Sequence, residues 1–131
     1  MNVCLVEDSL PIQQRLKRLI EQVKETEVVA VAADIHSAET MLLHDGAADR
    51  EIQAVVLDML LPDGNSLELL KKLKLQKPQI KVVIFSNHAS DESRLFAQRA
   101  GADSFLDKST DSELLVQVLQ NWQHNFFESP T

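Results

Sequence analysis

A chain of 131 residues, 44% hydrophobic and 25% charged, suits one compact globular domain and excludes an intrinsically disordered segment. With only 5% aromatic residues, its core must rest on Val, Leu, Ile and Ala. A formal net charge of -7 argues against tight non-specific binding of nucleic acid by the domain body, and the lone Cys4 excludes an internal disulfide.

The first apolar run, Val3-Cys4-Leu5-Val6, reads as a strand buried on both faces and stops at Glu7-Asp8, too short a run for the signal peptide that is therefore not expected here. Ile12, Leu16, Leu19, Ile20 and Val23 then mark one face of a helix, with Arg15, Lys17 and Arg18 turned outward. A second strand runs from Val28 to Ala33. Ser37 is a candidate cap for a helix near 38–45. Ala54 to Leu57 form a third, continuously apolar strand that meets Asp58.

Asn65 stands three residues before Glu68, the spacing of a capping box, and opens a helix with Leu67, Leu70 and Leu73 on one face and Lys71, Lys72 and Lys74 opposite. Lys77-Pro78 ends it, because proline disfavours a helical residue before it. Val82 to Phe85 make a fourth strand, followed by Ser86-Asn87. Ser90 caps a helix over 91–100 that Gly101 terminates. Ser104-Phe105-Leu106 read as the fifth strand, followed by Asp107-Lys108. Thr110 and Glu113 offer a second capping box for a helix carrying Leu114, Leu115, Val118, Leu119 and Trp122.

The order is thus β-α five times over, which implies an α/β domain with a parallel sheet and helices on both faces. Residues 1–124 form this one domain, and 125–131 read as a tail or the start of a linker. No apolar stretch approaches the roughly 20 residues that cross a bilayer, so no membrane contact and a cytoplasmic location are expected. His36, His44, His88 and His124 are scattered and form no ligand motif.

Chemistry collects where the strands end. All strands of a parallel sheet finish at one edge, and open α/β sheets bind ligands there, at the point where the strand order reverses. If the first strand lies between the second and the third, Glu7, Asp8 and Asp58 converge at that point. Three clustered carboxylates repel one another and call for a cation; Mg²⁺, with Mn²⁺ as a substitute, suits a few oxygen ligands plus water and phosphate. Lys108 adds a positive charge and Ser86 a hydroxyl, a set able to stabilise a phosphoryl group. Asp58 is the best nucleophile because it alone ends the central buried strand. Each feature alone is commonplace, since a Glu-Asp pair is usually a cap and a lone Asp usually a turn former. Their coincidence at corresponding strand ends is not.

These segments together, Val3-Cys4-Leu5-Val6-Glu7-Asp8-Ser9, Val55 through Gly64, Val82 through Ser86 and Ala100 through Lys108, resemble the receiver family of two-component response regulators, the CheY-like superfamily. The style is near that of receivers of LuxR/NarL-type regulators, and the resemblance spans residues 2 to 124. It implies a doubly wound, flavodoxin-like (βα)5 sandwich with strand order 2-1-3-4-5. It further implies that Asp58 accepts a phosphoryl group from a histidine kinase or a histidine phosphotransfer protein. Glu7, Asp8, Asp58 and the backbone carbonyl of Leu60 would hold Mg²⁺, Lys108 would pair with the phosphoryl oxygens, and Ser86 would move to hydrogen-bond them. In the family that movement is coupled to an aromatic residue at the position of Phe105; a core phenylalanine is compatible with the same role.

The surface remodelled would be residues 91 to 124, controlling a partner, a linked output domain or a homodimer. Leu115, Leu119 and Trp122 either support such a dimer or, by default, face the core. Leu60, Asn87 and His88 occupy positions that tune the site. An apolar Leu60 cannot orient an attacking water, which predicts slow loss of the phosphoryl group. Asn87 and Ser109 depart from the commonest family pattern without removing a required group.

The chain is therefore expected to promote only its own phosphorylation and dephosphorylation, without turning over a separate substrate and without touching DNA itself. A degenerate receiver serving as a binding scaffold is the alternative, although Asp58, Lys108 and both acidic residues are present. An aspartyl-phosphate phosphohydrolase would need a second Asp where Leu60 stands. Nucleotide binding is disfavoured, because neither glycine-rich motif occurs.

Overall fold

A computed structural model describes residues 1–44, 51–87 and 89–127. Chain order gives β1 (Asn2–Val6), α1 (Leu10–Ile20), β2 (Glu27–Ala32), α2 (Ile35–Leu43), β3 (Ala54–Asp58), β4 (Leu60–Leu61), β5 (Gly64–Asn65), α3 (Leu67–Gln76), β6 (Lys81–Ser86), α4 (Asp91–Ala100), β7 (Ser104–Asp107) and α5 (Ser112–Phe127). Five strands form one sheet in the order β2-β1-β3-β6-β7, every neighbouring pair parallel. Without the two-residue strands β4 and β5, which make a separate antiparallel ladder, this is the expected 2-1-3-4-5 order of the flavodoxin-like fold.

The three runs read as continuously apolar are the three inner strands. Each is buried on both faces, as a parallel sheet covered by helices requires. Strand alternation sends Cys4, Val6, Val55, Leu57, Val82 and Ile84 into one apolar cluster with α2, α3 and α4. It sends Val3, Leu5, Val56, Val83 and Phe85 into the opposite cluster with α1 and α5. Leu115, Leu119 and Trp122 lie in this second cluster, so they serve the core and offer no surface for a dimer.

Several local expectations need correction. α2 begins at Ile35, and its cap is Asp34, whose carboxylate accepts the Ser37 amide at 2.7 Å; Ser37 is already inside the helix. Among the described residues neither predicted capping box closes. Asn65 does accept the Leu67 amide (2.9 Å), but Glu68 turns outward to Lys71 at 3.2 Å. The Thr110 hydroxyl meets Asp111 at 3.2 Å, and the Asp111 carboxylate accepts the Asp107 amide at 2.8 Å. Leu114 is 43% exposed, because the neighbouring Leu115 takes the core-facing position.

Lys74 is not turned to solvent; its ammonium reaches the Ile80 carbonyl and Asp103, both at 2.6 Å. Its stem crosses so close to Gly101 (φ +108°) that a β-carbon there would meet Lys74 Cγ at 2.9 Å. The expected stops do form, at Lys77 for α3 and at the left-handed Gly101 for α4, and Ser90 caps α4 by accepting the Ser93 amide at 3.0 Å.

Candidate functional site

β1 ends at Val6, and the two acidic residues that follow it lie at the edge where the inner strands finish. Glu7 turns inward and is buried, while Asp8 stays exposed. Ser9 caps α1, and its own amide donates to Glu7 Oε2 at 3.0 Å. The Gln13 side chain, one turn into α1, donates to the Glu7 carbonyl at 2.6 Å. The backbone bearing the two acidic residues is thus held by the helix that follows it.

Asp58 is the last residue of β3 and is also buried. The buried Ser66 hydroxyl donates to its carbonyl at 2.7 Å, and the Leu60 amide lies 3.4 Å from Oδ1. Lys108, just past β7, hangs its backbone amide on the Ser86 carbonyl at 2.9 Å. Its side chain runs inward, placing Nζ 2.8 Å from Asp58 Oδ2 and in direct contact with Glu7 Oε1. One carboxylate oxygen from each of Glu7, Asp8 and Asp58 lies within 4.8 Å of the others.

The electrostatics follow from this packing. Burial pushes the Glu7 carboxyl above its ordinary range and the Asp58 charge adds to the rise, while the Lys108 and Ser9 hydrogen bonds work against it. Burial disfavours the Lys108 ammonium, but the bonds and charges of Asp58 and Glu7 outweigh it, so its pKa is raised and the charge is kept. One ammonium faces three carboxylates. The remaining negative charge, the all-oxygen donor set and the open side at Asp8 fit a hard divalent cation.

Glu7, Asp8, Asp58 and Lys108 therefore meet. Ser86 ends the adjacent β6 and is buried. Leu60 lies in β4 with its side chain 46% exposed, and Asn87 is exposed just beyond β6. His88 lies outside the described residues. Phe105, on β7, is only partly buried: the Arg94 guanidinium sits 4.9 Å from its ring centroid. Gln13, Ser66 and Arg94 have no signature in the sequence. Their partners are backbone carbonyls and a ring brought close only by the fold.

The chain matches the model of the response regulator receiver domain over residues 3–120. It is 31% identical over 121 residues to the DNA-binding transcriptional activator DevR/DosR of Mycobacterium tuberculosis, covering 92% of this chain and 54% of that protein. The crystal structure of a LuxR-family two-component response regulator from Aurantimonas sp. superposes with a TM-score of 0.80 at 28% identity, covering 92% of this chain and 82% of that one. A CheY-like receiver domain protein from Methanospirillum hungatei shares the fold at 23% identity, with a TM-score of 0.78 and 97% of each chain covered. The chain spans about half the length of the curated relatives it matches. No helix among the described residues is long and apolar enough to cross a membrane. A family match of that extent, on a sheet of that topology, makes the chain a member of the response regulator receiver domain family.

Proposed function

We propose that Asp58 accepts a phosphoryl group from a phosphohistidine on a histidine kinase or a phosphotransfer protein. The observation that carries this reading is the Lys108 ammonium bridging Asp58 and Glu7 at the strand-end edge, beside the open carboxylate of Asp8. An Asp58 carboxylate oxygen attacks phosphorus, an O–P bond forms, and the P–N bond to the donor imidazole breaks. The imidazole takes the bonding pair and a proton, leaving an acyl phosphate on Asp58.

Lys108 is positioned to follow the new charge from the Asp58 carboxylate to the phosphoryl oxygens. Ser86, at the end of the neighbouring strand, supplies a hydroxyl to the same group. Glu7, Asp8, Asp58 and the Leu60 carbonyl would hold Mg²⁺, or Mn²⁺ in its place, and that ion neutralises phosphoryl charge when bound. Phe105, Ser86 and the 91–124 surface form the responsive part. Its target is a partner, a linked output domain or a second copy of the chain. Leu60, Asn87 and His88 set the phosphoryl lifetime, and the exposed apolar Leu60 side chain supports slow hydrolysis. Residues 1–124 act as the receiver in a cytoplasmic setting where such donors occur; of the expected tail or linker, residues 125–127 instead complete α5, and the remainder lies outside the described residues.

The test is intact mass after incubation with Mg²⁺ and acetyl phosphate, beside Asp58→Asn. A metal-dependent gain of one phosphoryl group, absent from the variant, is expected. No gain with acetyl phosphate or with a phosphohistidine donor would overturn the reading and leave a receiver fold used as a binding scaffold.

A further inference from the structure

α4 is held to the body of the domain differently from the other helices. Its buried residues are Ala97 and Ala100. By contrast, α1 buries Leu16 and Ile20, α2 buries Leu42, α3 buries Leu69, Leu70 and Leu73, and α5 buries Leu115, Leu119 and Trp122. Two methyl-sized side chains remove little apolar surface from water, so α4 is the helix whose position is least fixed by packing. Its outer surface carries Leu95 and Phe96, 43% and 45% exposed.

One side chain of α4 reaches further than those alanines. Arg94 lays its guanidinium over the Phe105 ring, 4.9 Å from the centroid, and its Nη1 stands 3.4 Å from the Phe105 carbonyl. Phe105 lies on β7, which ends at Asp107, and Lys108 follows directly with its ammonium on Asp58 and Glu7. A side chain on α4 is thereby joined through a short strand to the ion pair at the site.

We infer that Arg94 is the positioning residue that couples α4 to the Lys108 end of β7, so that a change of charge at Asp58 displaces α4 and changes how Leu95 and Phe96 are presented. The physiological trigger rests on the phosphoacceptor reading, but the coupling itself does not. When the Lys108 ammonium is drawn to a new charge, β7 is pulled at its end, and the Phe105 ring and carbonyl carry that pull to the guanidinium. Arg94 is exposed, so replacing it leaves the core intact.

The experiment records backbone amide resonances of the full chain under two perturbations: beryllofluoride with Mg²⁺, and the Asp58→Asn substitution, which involves no phosphoryl chemistry. With Arg94 present, both are expected to move resonances at the site and along residues 91–100. In Arg94→Met the site resonances should move as before while the α4 response falls roughly two- to fivefold, the range expected from losing an exposed cation–π contact. Arg94→Lys should restore part of the response, and in a Phe105→Leu background Arg94→Met should add nothing further. An α4 response of undiminished size in Arg94→Met, under either perturbation, would overturn the coupling. Failure of beryllofluoride alone to move the site resonances would count against the phosphoacceptor reading, while Asp58→Asn still decides the coupling.

Discussion

Lys108 Nζ lies 2.8 Å from Asp58 Oδ2, and both side chains are almost wholly withdrawn from solvent. The same ammonium also meets Glu7, so one cation compensates two buried carboxylates. Losing it would strand both. Lys108→Met is expected to destabilise the fold by about 3–5 kcal/mol in the absence of divalent metal, the usual cost of an uncompensated buried charge. Asp58→Asn keeps the Lys108–Glu7 pair and removes a repulsion, so it should cost far less. Urea unfolding of the two variants in chelator checks the order, and equal losses would sink this account of the pair.

Three carboxylates against one ammonium also predict metal-dependent stability. A cation that binds the folded chain and not the unfolded one stabilises by mass action, about 2.7 kcal/mol at a hundredfold excess over its Kd. The thermal midpoint should therefore climb with Mg²⁺ concentration, and Mn²⁺ should act likewise. Asp8→Asn removes the one exposed carboxylate of the cluster and should flatten that climb without lowering stability in chelator. An unchanged Mg²⁺ response in the variant would place the ion elsewhere.

The inner strands and the acidic residues that follow them were legible because both signals are local. An uninterrupted apolar run followed at once by Glu7-Asp8 or by Asp58 needs no knowledge of distant partners. What escaped the sequence depends on such partners. Asp34 rather than Ser37 caps α2, since either residue could serve and the backbone path decides. Lys74 looks like a solvent-facing lysine until Ile80 and Asp103 are folded against it. Leu114 fits the apolar spacing of its helix, yet the sheet accepts only the face centred on Leu115 and Leu119. Phe105 could be read as a core residue, but its position on an edge strand leaves it half-covered, with Arg94 as its lid.

Cys4 sits in β1 with no exposed surface, and burial pushes its thiol up to about 12. The thiolate is the reactive species, so the native protein should resist alkylation at pH 8. Labelling should then track global unfolding, rising with urea along the same transition as circular dichroism. The sign for stability follows: the raised folded value means that the thiol's contribution is intact below the ordinary cysteine range and is lost as pH rises above it. Cys4→Ala should accordingly show a shallower loss of stability between neutral and alkaline pH. Fast labelling of folded protein would contradict the burial.

Asp63 ties the loop after Asp58 to a different layer of the fold. Its two carboxylate oxygens accept the amides of Ile35 and His36, at 2.8 and 3.1 Å, at the start of α2. The Ile35 hydrogen bond, helped by that of His36, holds the Asp63 carboxyl below its ordinary range, although the group is open to solvent. A lowered folded pKa gives a stabilising contribution that is present above the ordinary aspartate value, about 3.9, and lost as pH falls through the lower folded value. Asp63→Asn should therefore be less stable than the parent at neutral pH, with the difference shrinking on acidification. Hydrogen exchange offers the local check: the Ile35 and His36 amides should lose protection in the variant at neutral pH, while the inner-strand amides keep theirs. Uniform loss across the sheet would mean that Asp63 supports the whole fold and not the α2 terminus alone.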